Sequence, residues 1–156
     1  MSFDDKGLIL KSHLFKKEGG DEIDMLSQRI DEIMRKMQIT QMAVDSSTTH
    51  TIITDVDGVV IYANKAVSDL TGYSNQEIVG SKPSLWGKQM SDGFYQRMWQ
   101  TIKVDRKPFT GEITNKRKNG DLYVAMATIF PIMDVSGNLL GFAGSENDIT
   151  EVKNTQ

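Results

Sequence analysis

The sequence contains no cysteine, which excludes disulfide bonds, thiolate metal ligands and cysteine nucleophiles. It has two histidines, His13 and His50, and neither belongs to a metal-binding motif such as HExxH. No GxSxG motif and no glycine-rich phosphate loop occurs in it. These absences predict a protein that is not an enzyme and holds no metal.

The chain also lacks an excess of positive charge and a long apolar run. Its formal net charge is −3, whereas a nucleic-acid-binding domain carries a basic face. No apolar stretch approaches the ~20 residues that cross a bilayer, and the first seven residues contain no signal-peptide core. We therefore predict no nucleic-acid partner, no membrane span and a cytoplasmic location.

A heptad pattern follows residues 1–20, which are interpreted as an N-terminal arm. Asp21 comes after two glycines and is expected to cap a helix over residues 21–45. The apolar residues of this helix recur at alternating spacings of three and four: Ile23, Leu26, Ile30, Ile33 and Met37. Such a narrow seam is typical of a coiled coil. It predicts a homodimer through this helix, and the alternative is an amphipathic helix that packs on its own domain.

Turn signals divide the chain from residue 46 onward into short elements. Residues 55–58 (DVDG) lie between two apolar runs, as in a β-hairpin. Asn64 and Gly72 are expected to begin and end a short helix, and residues 74–77 (SNQE) predict a capping box. This region therefore reads as strand, turn, strand and two short helices.

The second half of this region begins with a longer helix, which is predicted over residues 92–102, and further turn signals follow it. Asn119-Gly120 and Ser136-Gly137 predict hairpin turns between three further strands. The basic run at residues 116–118 is interpreted as a solvated hairpin tip.

This order of motifs resembles the PAS domain family over residues 46–153. The strings that carry the resemblance are DVDG, YAN, TGY, SNQE, the hairpin FTGEITNKRKNGD and the closing Asp148-Ile149-Thr150. The resemblance implies an α+β fold, with a five-stranded antiparallel sheet, short helices on one face, a small pocket and a tail at residues 154–156. It also implies a sensory module that relays a signal to an output domain or partner protein.

The cofactors of the family can be compared with this sequence one by one. Light-sensing flavoproteins of the family form a cysteinyl-FMN adduct, which a chain without cysteine cannot form. Haem-binding members generally take an axial histidine from the helical region, and residues 65–103 contain none. The string FYxxMW at residues 94–99 is similar to the subgroup that binds FAD without a covalent bond. The cofactor stays open, and FAD is the candidate that the resemblance supports.

The resemblance and the strand alternation together indicate a set of pocket residues. The candidate ligand contacts are Trp99, Asn115, Glu146, Ile52, Thr54, Ala125 and Phe142. Asn115 retains an amide that flavin-binding members use, whereas Ala125 and Glu146 replace an amide and a glutamine. A carboxylate in an apolar pocket must be partnered, protonated or hydrated. Glu146 is thus interpreted as a ligand anchor or proton acceptor, or as a side chain that the strand end turns into solvent.

The two ends of the domain suggest how a signal would leave it. Asp148, Ile149 and Thr150 close the last strand, which neighbours the first strand in the sheet of the family. These three residues are therefore predicted to relay a change at the pocket to the N-terminal helix and an output partner. The alternative function is a ligand-free PAS interaction or dimerisation module, whose core Trp99, Phe142 and the methionines would fill.

Overall fold

The computed structural model describes the backbone of residues 5–155 and the side chains of residues 19–155. It divides into two units, one up to Ala43 and one from Val44 onward. Helix α1, Asp5–Asp45, forms the described part of the first unit, and its last two residues belong to the second. Within the described part of the chain, no helix is long and apolar enough to span a membrane.

Helix α1 begins earlier than the sequence predicts. Its backbone continues through Gly19 and Gly20, so Asp21 lies inside the helix and does not cap it. Each glycine costs a helix only ~1 kcal/mol relative to alanine, and the helix formers on both sides outweigh this cost. Residues 1–4 of the predicted arm lie outside the described residues.

The second unit contains the predicted five-stranded antiparallel sheet. Its strands are β1 (His50–Thr54), β2 (Val60–Ala63), β3 (Phe109–Lys116), β4 (Leu122–Met133) and β5 (Leu139–Asp148). They are ordered β2-β1-β5-β4-β3, and all neighbours are antiparallel. The first and last strands are therefore neighbours at the centre of the sheet, as the resemblance implied.

Local turn chemistry explains where the strands begin and end. The Asp55 carboxylate accepts hydrogen bonds from the backbone N–H groups of Asp57 and Val59, both through Oδ1. Gly58 has a φ of 82° and Gly120 a φ of 97°, a region that glycine enters without steric cost. The hairpin turns predicted at residues 55–58 and 119–120 are confirmed.

Short helices complete the second unit. They are α2 (Lys65–Thr71), α3 (Asn75–Ile78), a 3₁₀ turn (Pro83–Leu85), α4 (Asp92–Trp99) and α5 (Thr150–Asn154). The capping box of α3 is present as predicted, between Ser74 and Glu77. Helix α4 is shorter than predicted, because the chain widens after Trp99 into a π-type turn, Gln100–Val104. Such wide turns are frequent at functional sites.

Asn64 occupies the predicted N-cap position of α2, but its side chain does not cap the helix. Its amide nitrogen donates to the carbonyl oxygens of Val44, at 2.9 Å, and Thr49, at 2.8 Å. Its Oδ1 accepts a hydrogen bond from the Thr51 N–H at 3.0 Å. The capping role is thus wrong, because three backbone groups use the side chain to hold the segment before β1.

Two apolar clusters form the core of the second unit. The first contains Ile52, Val60, Ala63, Val67, Ile78 and Trp86. The second contains Ile113, Tyr123, Ala125 and Ala127, with Leu70, Met90, Phe94 and Tyr95 packed against it. Members of both clusters line one cavity, so the core is not filled solid.

Candidate ligand cavity with a polar end

The cavity has a volume of about 600 Å³. Its lining comes from strands β1, β3, β4 and β5, from residues 56–58 of the β1–β2 turn and from the segment between residues 82 and 103. The apolar part of the lining includes Ile52, Trp86, Met98, Ile102, Ile113 and Phe142. Pockets for small molecules and cofactors are typically ~300–1,000 Å³ and mostly apolar, so the cavity has the size and character of a ligand site.

Trp99 forms an aromatic wall of the cavity. Its ring meets Phe142 edge to face, with 5.5 Å between the ring centroids. A Cβ atom at Gly58 would lie 3.2 Å from the indole, so this glycine allows the ring to approach the turn. Because Trp99 is 37% exposed, it is a wall beside solvent rather than a filled core position.

Glu146 is the centre of a hydrogen-bonded group at the polar end of the cavity. The Asn115 amide donates to its Oε1 at 2.9 Å, and the Tyr123 hydroxyl donates to its Oε2 at 3.2 Å. The carboxyl side chain is only 11% exposed. The interpretation that the strand end turns Glu146 into solvent is therefore wrong, because β5 continues to Asp148 and the Glu146 side chain belongs to the cavity lining.

His50 completes this polar end, and sequence reasoning did not place it there. Strand pairing sets His50 directly opposite Glu146, with 3.8 Å between Nε2 and the Glu146 Oε2. The ring is 2% exposed and meets Trp86 edge to face, at 5.7 Å between centroids. Among the described residues, neither ring nitrogen has a hydrogen-bond partner. The sequence signal was the apolar strand that follows His50, which predicts a strand start but not its cross-strand partner.

Burial shifts the pKa values at this end of the cavity. It lowers the pKa of His50 below 6.5, and the Glu146 charge offsets part of that shift. Burial raises the pKa of the Tyr123 hydroxyl, and the Glu146 charge raises it further. At neutral pH the tyrosine therefore stays protonated and the imidazole neutral.

The lining contains all but one of the predicted contact residues. Ala125 is the exception: it is fully buried in the second apolar cluster and is not part of the lining. It pairs with Ile113 across β3 and β4, and Ile113 itself reaches the cavity. The direct contact expected of Ala125 is therefore not supported by the geometry, because larger side chains pack over its methyl group.

The exposed part of the cavity lining is mainly positive, whereas the buried end carries the Glu146 carboxylate. Lys82, Lys88 and Lys103 are exposed residues of the lining, whereas Asp57 is the exposed carboxylate there. Positive charge thus predominates where the cavity meets solvent, and the partnered Glu146 carboxylate lies at the buried end.

The three predicted relay residues form the junction between β5 and α5. The Asp148 carboxylate accepts a hydrogen bond from the Thr150 N–H at 2.9 Å. The Ile149 N–H donates to the Val124 carbonyl at 2.8 Å, and the Val124 N–H donates to the Thr150 hydroxyl at 3.0 Å. This segment therefore ends the sheet and begins the C-terminal helix.

Arg117 is tied to this junction, contrary to the interpretation of residues 116–118 as a solvated tip. One guanidinium nitrogen lies 2.9 Å from the Asp148 carboxylate, and another donates to the Leu70 carbonyl. The guanidinium carbon lies 4.7 Å from the centre of the Tyr123 ring. Arg117 thus connects the β3–β4 hairpin with α2 and with the end of β5.

Residues 48–151 match the sequence pattern of the family described as the PAS domain. The chain belongs to the PAS domain family. Solved structures give the same fold: a PAS domain from Colwellia psychrerythraea matches 74% of this chain and 98% of its own, with a TM-score of 0.64 and 23% identity. An RNA-binding light-oxygen-voltage receptor also matches 74% of this chain and 34% of its own, with a TM-score of 0.67 and 22% identity.

Curated PAS-containing relatives include regulators and light-activated kinases. The nitrogen fixation regulatory protein of Klebsiella oxytoca is 32% identical over 108 residues, which cover 69% of this chain and 22% of that protein. Blue-light-activated histidine kinase 1 of Erythrobacter litoralis is 31% identical over 134 residues, 83% of this chain and 36% of the kinase. The matched region thus spans about a fifth to a third of these two relatives.

Proposed function

We propose that this PAS domain is a cytoplasmic sensory module that receives a small molecule in its cavity and relays the change to an output partner. The observation that carries the proposal is the open cavity with a hydrogen-bonded carboxylate, Glu146, at its buried end. A module that served only for interaction would have no need for a cavity with buried polar groups in its lining. The named regulator and kinase among the relatives favour the sensory role.

The ligand that fits best is a flavin nucleotide held without a covalent bond, with FAD as the specific candidate. The apolar and aromatic walls suit a flat ring system, and the polar end offers partners for ring N–H and carbonyl groups. The unpartnered ring nitrogens of His50 leave unused hydrogen-bonding capacity there. The exposed lysines of the lining, such as Lys82 and Lys103, suit phosphate groups. A bound flavin would supply a redox-responsive centre.

With a flavin bound, the residues of the cavity lining would have distinct roles. Glu146 and Asn115 would exchange part of their mutual hydrogen bond for contacts with the polar edge of the ligand. Trp99 and Phe142 would cover an apolar face and exclude water from it. In this proposal no residue acts as a nucleophile or general base on a substrate, so the module receives a signal and does not catalyse a reaction.

An absorption spectrum of the freshly purified chain tests the cofactor. We expect the two bands of a flavin, in the near ultraviolet and the blue, and their release into the filtrate on denaturation. Glu146→Ala should weaken retention by roughly 10-fold or more, because a hydrogen bond to a charged group is worth ~1.5–3 kcal/mol. Thr110→Ala, on exposed β3 surface outside the lining, is the control. A haem band would contradict the flavin and identify a different cofactor. A colourless protein that does not bind added FAD would contradict the proposal and favour the interaction module.

The relay is proposed to act through a homodimer formed by α1. The predicted seam residues Ile23, Leu26, Ile30, Ile33 and Met37 are all exposed in the single chain. Cysteine crosslinking along α1, with and without bound FAD, would report a ligand-dependent change in helix pairing. Identical crosslinking patterns in the two states would contradict the relay while leaving ligand binding intact.

A further inference from the structure

A second cavity lies on the other side of the His50–Glu146 pair. It is a polar cleft of about 760 Å³, lined by residues 45–48, by α2 and by the end of β5. His50 and Glu146 contribute to the lining of both the ligand cavity and this cleft. The two side chains therefore separate an apolar interior from a polar opening.

The chemistry of His50 suits transfer between these two spaces. A neutral imidazole carries one N–H donor and one lone pair, on opposite sides of the ring. Both ring nitrogens are buried and have no hydrogen-bond partner in the part of the chain that the structure describes, which is costly for polar atoms unless another group binds them. The 3.8 Å between Nε2 and the Glu146 carboxylate is too long for a direct hydrogen bond, but one water molecule or a small rotation of the side chain closes it.

We propose that His50 and Glu146 form a proton-exchange pair that connects the ligand cavity with the polar cleft. A proton leaves an N–H or O–H group of the bound ligand, and the bonding electron pair stays on the ligand. The proton binds the Glu146 carboxylate and passes to the free lone pair of His50. The proton on the other ring nitrogen leaves to water in the cleft, so the imidazole ends neutral. Uptake follows the same steps in reverse, and no electron is transferred.

The charged surroundings of the pair are compatible with this role. Tyr123, which belongs to neither lining, donates to Glu146 and stays protonated. On the cavity side, the ionisable groups are Asp57, Lys82, Lys88, Tyr95 and Lys103. On the cleft side, the ionisable groups are Asp45, Lys65, Asp69, Arg117 and Asp148. Burial lowers the pKa of His50, which keeps the ring neutral and able to both accept and give a proton near pH 7. The proposal rests on the proposed function only in requiring a ligand with an exchangeable proton.

Nitrogen-15 NMR of the ligand-free chain tests the route without any cofactor. In a His13→Gln variant His50 is the only histidine, so its ring signals are unambiguous. We expect them to follow bulk pH with a midpoint below 6.5, and Glu146→Gln to lower that midpoint further because it removes the attraction of the carboxylate. Ring signals that do not respond to bulk pH between 4 and 8 would overturn the proposal.

Blocking the cleft tests whether the proton passes through it. Thr48→Trp, at an exposed position of the cleft lining, should slow exchange of the His50 ring proton with water by roughly tenfold, which is below the ~10²–10⁴-fold that a positioned proton-transfer group contributes. Asp69→Trp, elsewhere in the lining, should act in the same way, and Thr110→Trp, which lines neither space, should not. Unchanged exchange in both cleft variants would overturn the route through the cleft. Failure to bind FAD would refute the cofactor instead, and these measurements would stand.

Discussion

The strongest test of the dimer proposal is to replace Ile30 and Ile33 of α1 by glutamate. In the single chain these side chains are 56% and 57% exposed. Fully burying an isoleucine gains ~1.5–3 kcal/mol, so pairing of two helices has about 1–1.5 kcal/mol to gain at each such position. We expect the double variant to be a monomer at concentrations where the unchanged chain is a dimer.

The free energy of dimerisation can be estimated from all five seam positions. Five apolar side chains on each of two helices offer about 10–15 kcal/mol in total, against an association cost of ~4–15 kcal/mol. At the middle of both ranges the margin is about 3 kcal/mol. Four isoleucines are lost when both chains carry Ile30→Glu and Ile33→Glu, which removes about 4–6 kcal/mol before any repulsion between the new carboxylates. That loss exceeds the expected margin.

Light scattering during gel filtration, over a series of protein concentrations, measures the outcome. Gln28→Glu with Gln38→Glu is the matched control, because it adds two carboxylates to the same helix outside the seam. Circular dichroism of both variants checks that the helix is retained. A double seam variant that stays dimeric with an unchanged dissociation constant would refute the reasoning and favour a helix whose apolar stripe meets another surface.

Three further predictions concern the second unit. Gly141→Ala should destabilise it by about 3 kcal/mol in urea unfolding, because the added Cβ would lie 2.0 Å from the Thr54 carbonyl oxygen; wild-type stability would contradict the close strand approach. Arg117→Ala should lower the free energy of unfolding by about 1 kcal/mol, because its ion pair with Asp148 is partly solvated. It should also speed amide exchange at α5, and unchanged exchange would argue against a stabilising role of the ion pair there. Burial lowers the pKa of His50, so the folded chain favours the neutral ring. Its contribution to the free energy of unfolding is therefore complete above pH 6.5 and declines as the pH falls. His50→Phe should flatten that decline, and an equal slope in the variant would contradict the prediction.

The parts of the fold that depend on local chemistry were predictable from the sequence. Turn residues such as Gly58 and Gly120 act within a few positions, and so does the capping box of α3. The strand order was expected only through the family resemblance, because pairing between β1 and β5 is not visible in local pattern. Asn64 shows the limit of a local rule, since three backbone groups outside α2 compete for its side chain.

The candidate site was also predictable from the sequence only in part. Alternation along a single strand was enough to place Phe142 and Glu146 on the inward face. The roles of His50 and Arg117 depend on partners far away in the sequence, and no spacing rule brings these residues together. Arg117 also carries a misleading signal, because two lysines beside an Asn-Gly turn resemble an ordinary solvated tip.

Strands β1 and β5 carry two residues of the polar end of the cavity, and they also lie next to the helices at the two ends of the domain. Glu146 pairs with His50 across β5 and β1, and Asp148 follows it on β5 where α5 begins. At the other exit, Asn64 binds the Val44 carbonyl just before β1. A ligand that draws the Glu146 carboxylate toward itself must weaken its bonds to neighbouring strands, since a carboxylate has a fixed number of acceptor positions. Those bonds run to Asn115 on β3 and Tyr123 on β4, so we expect a change at the Glu146 carboxylate to be read at the β3–β4 hairpin as well as at the end of β5, where α5 begins.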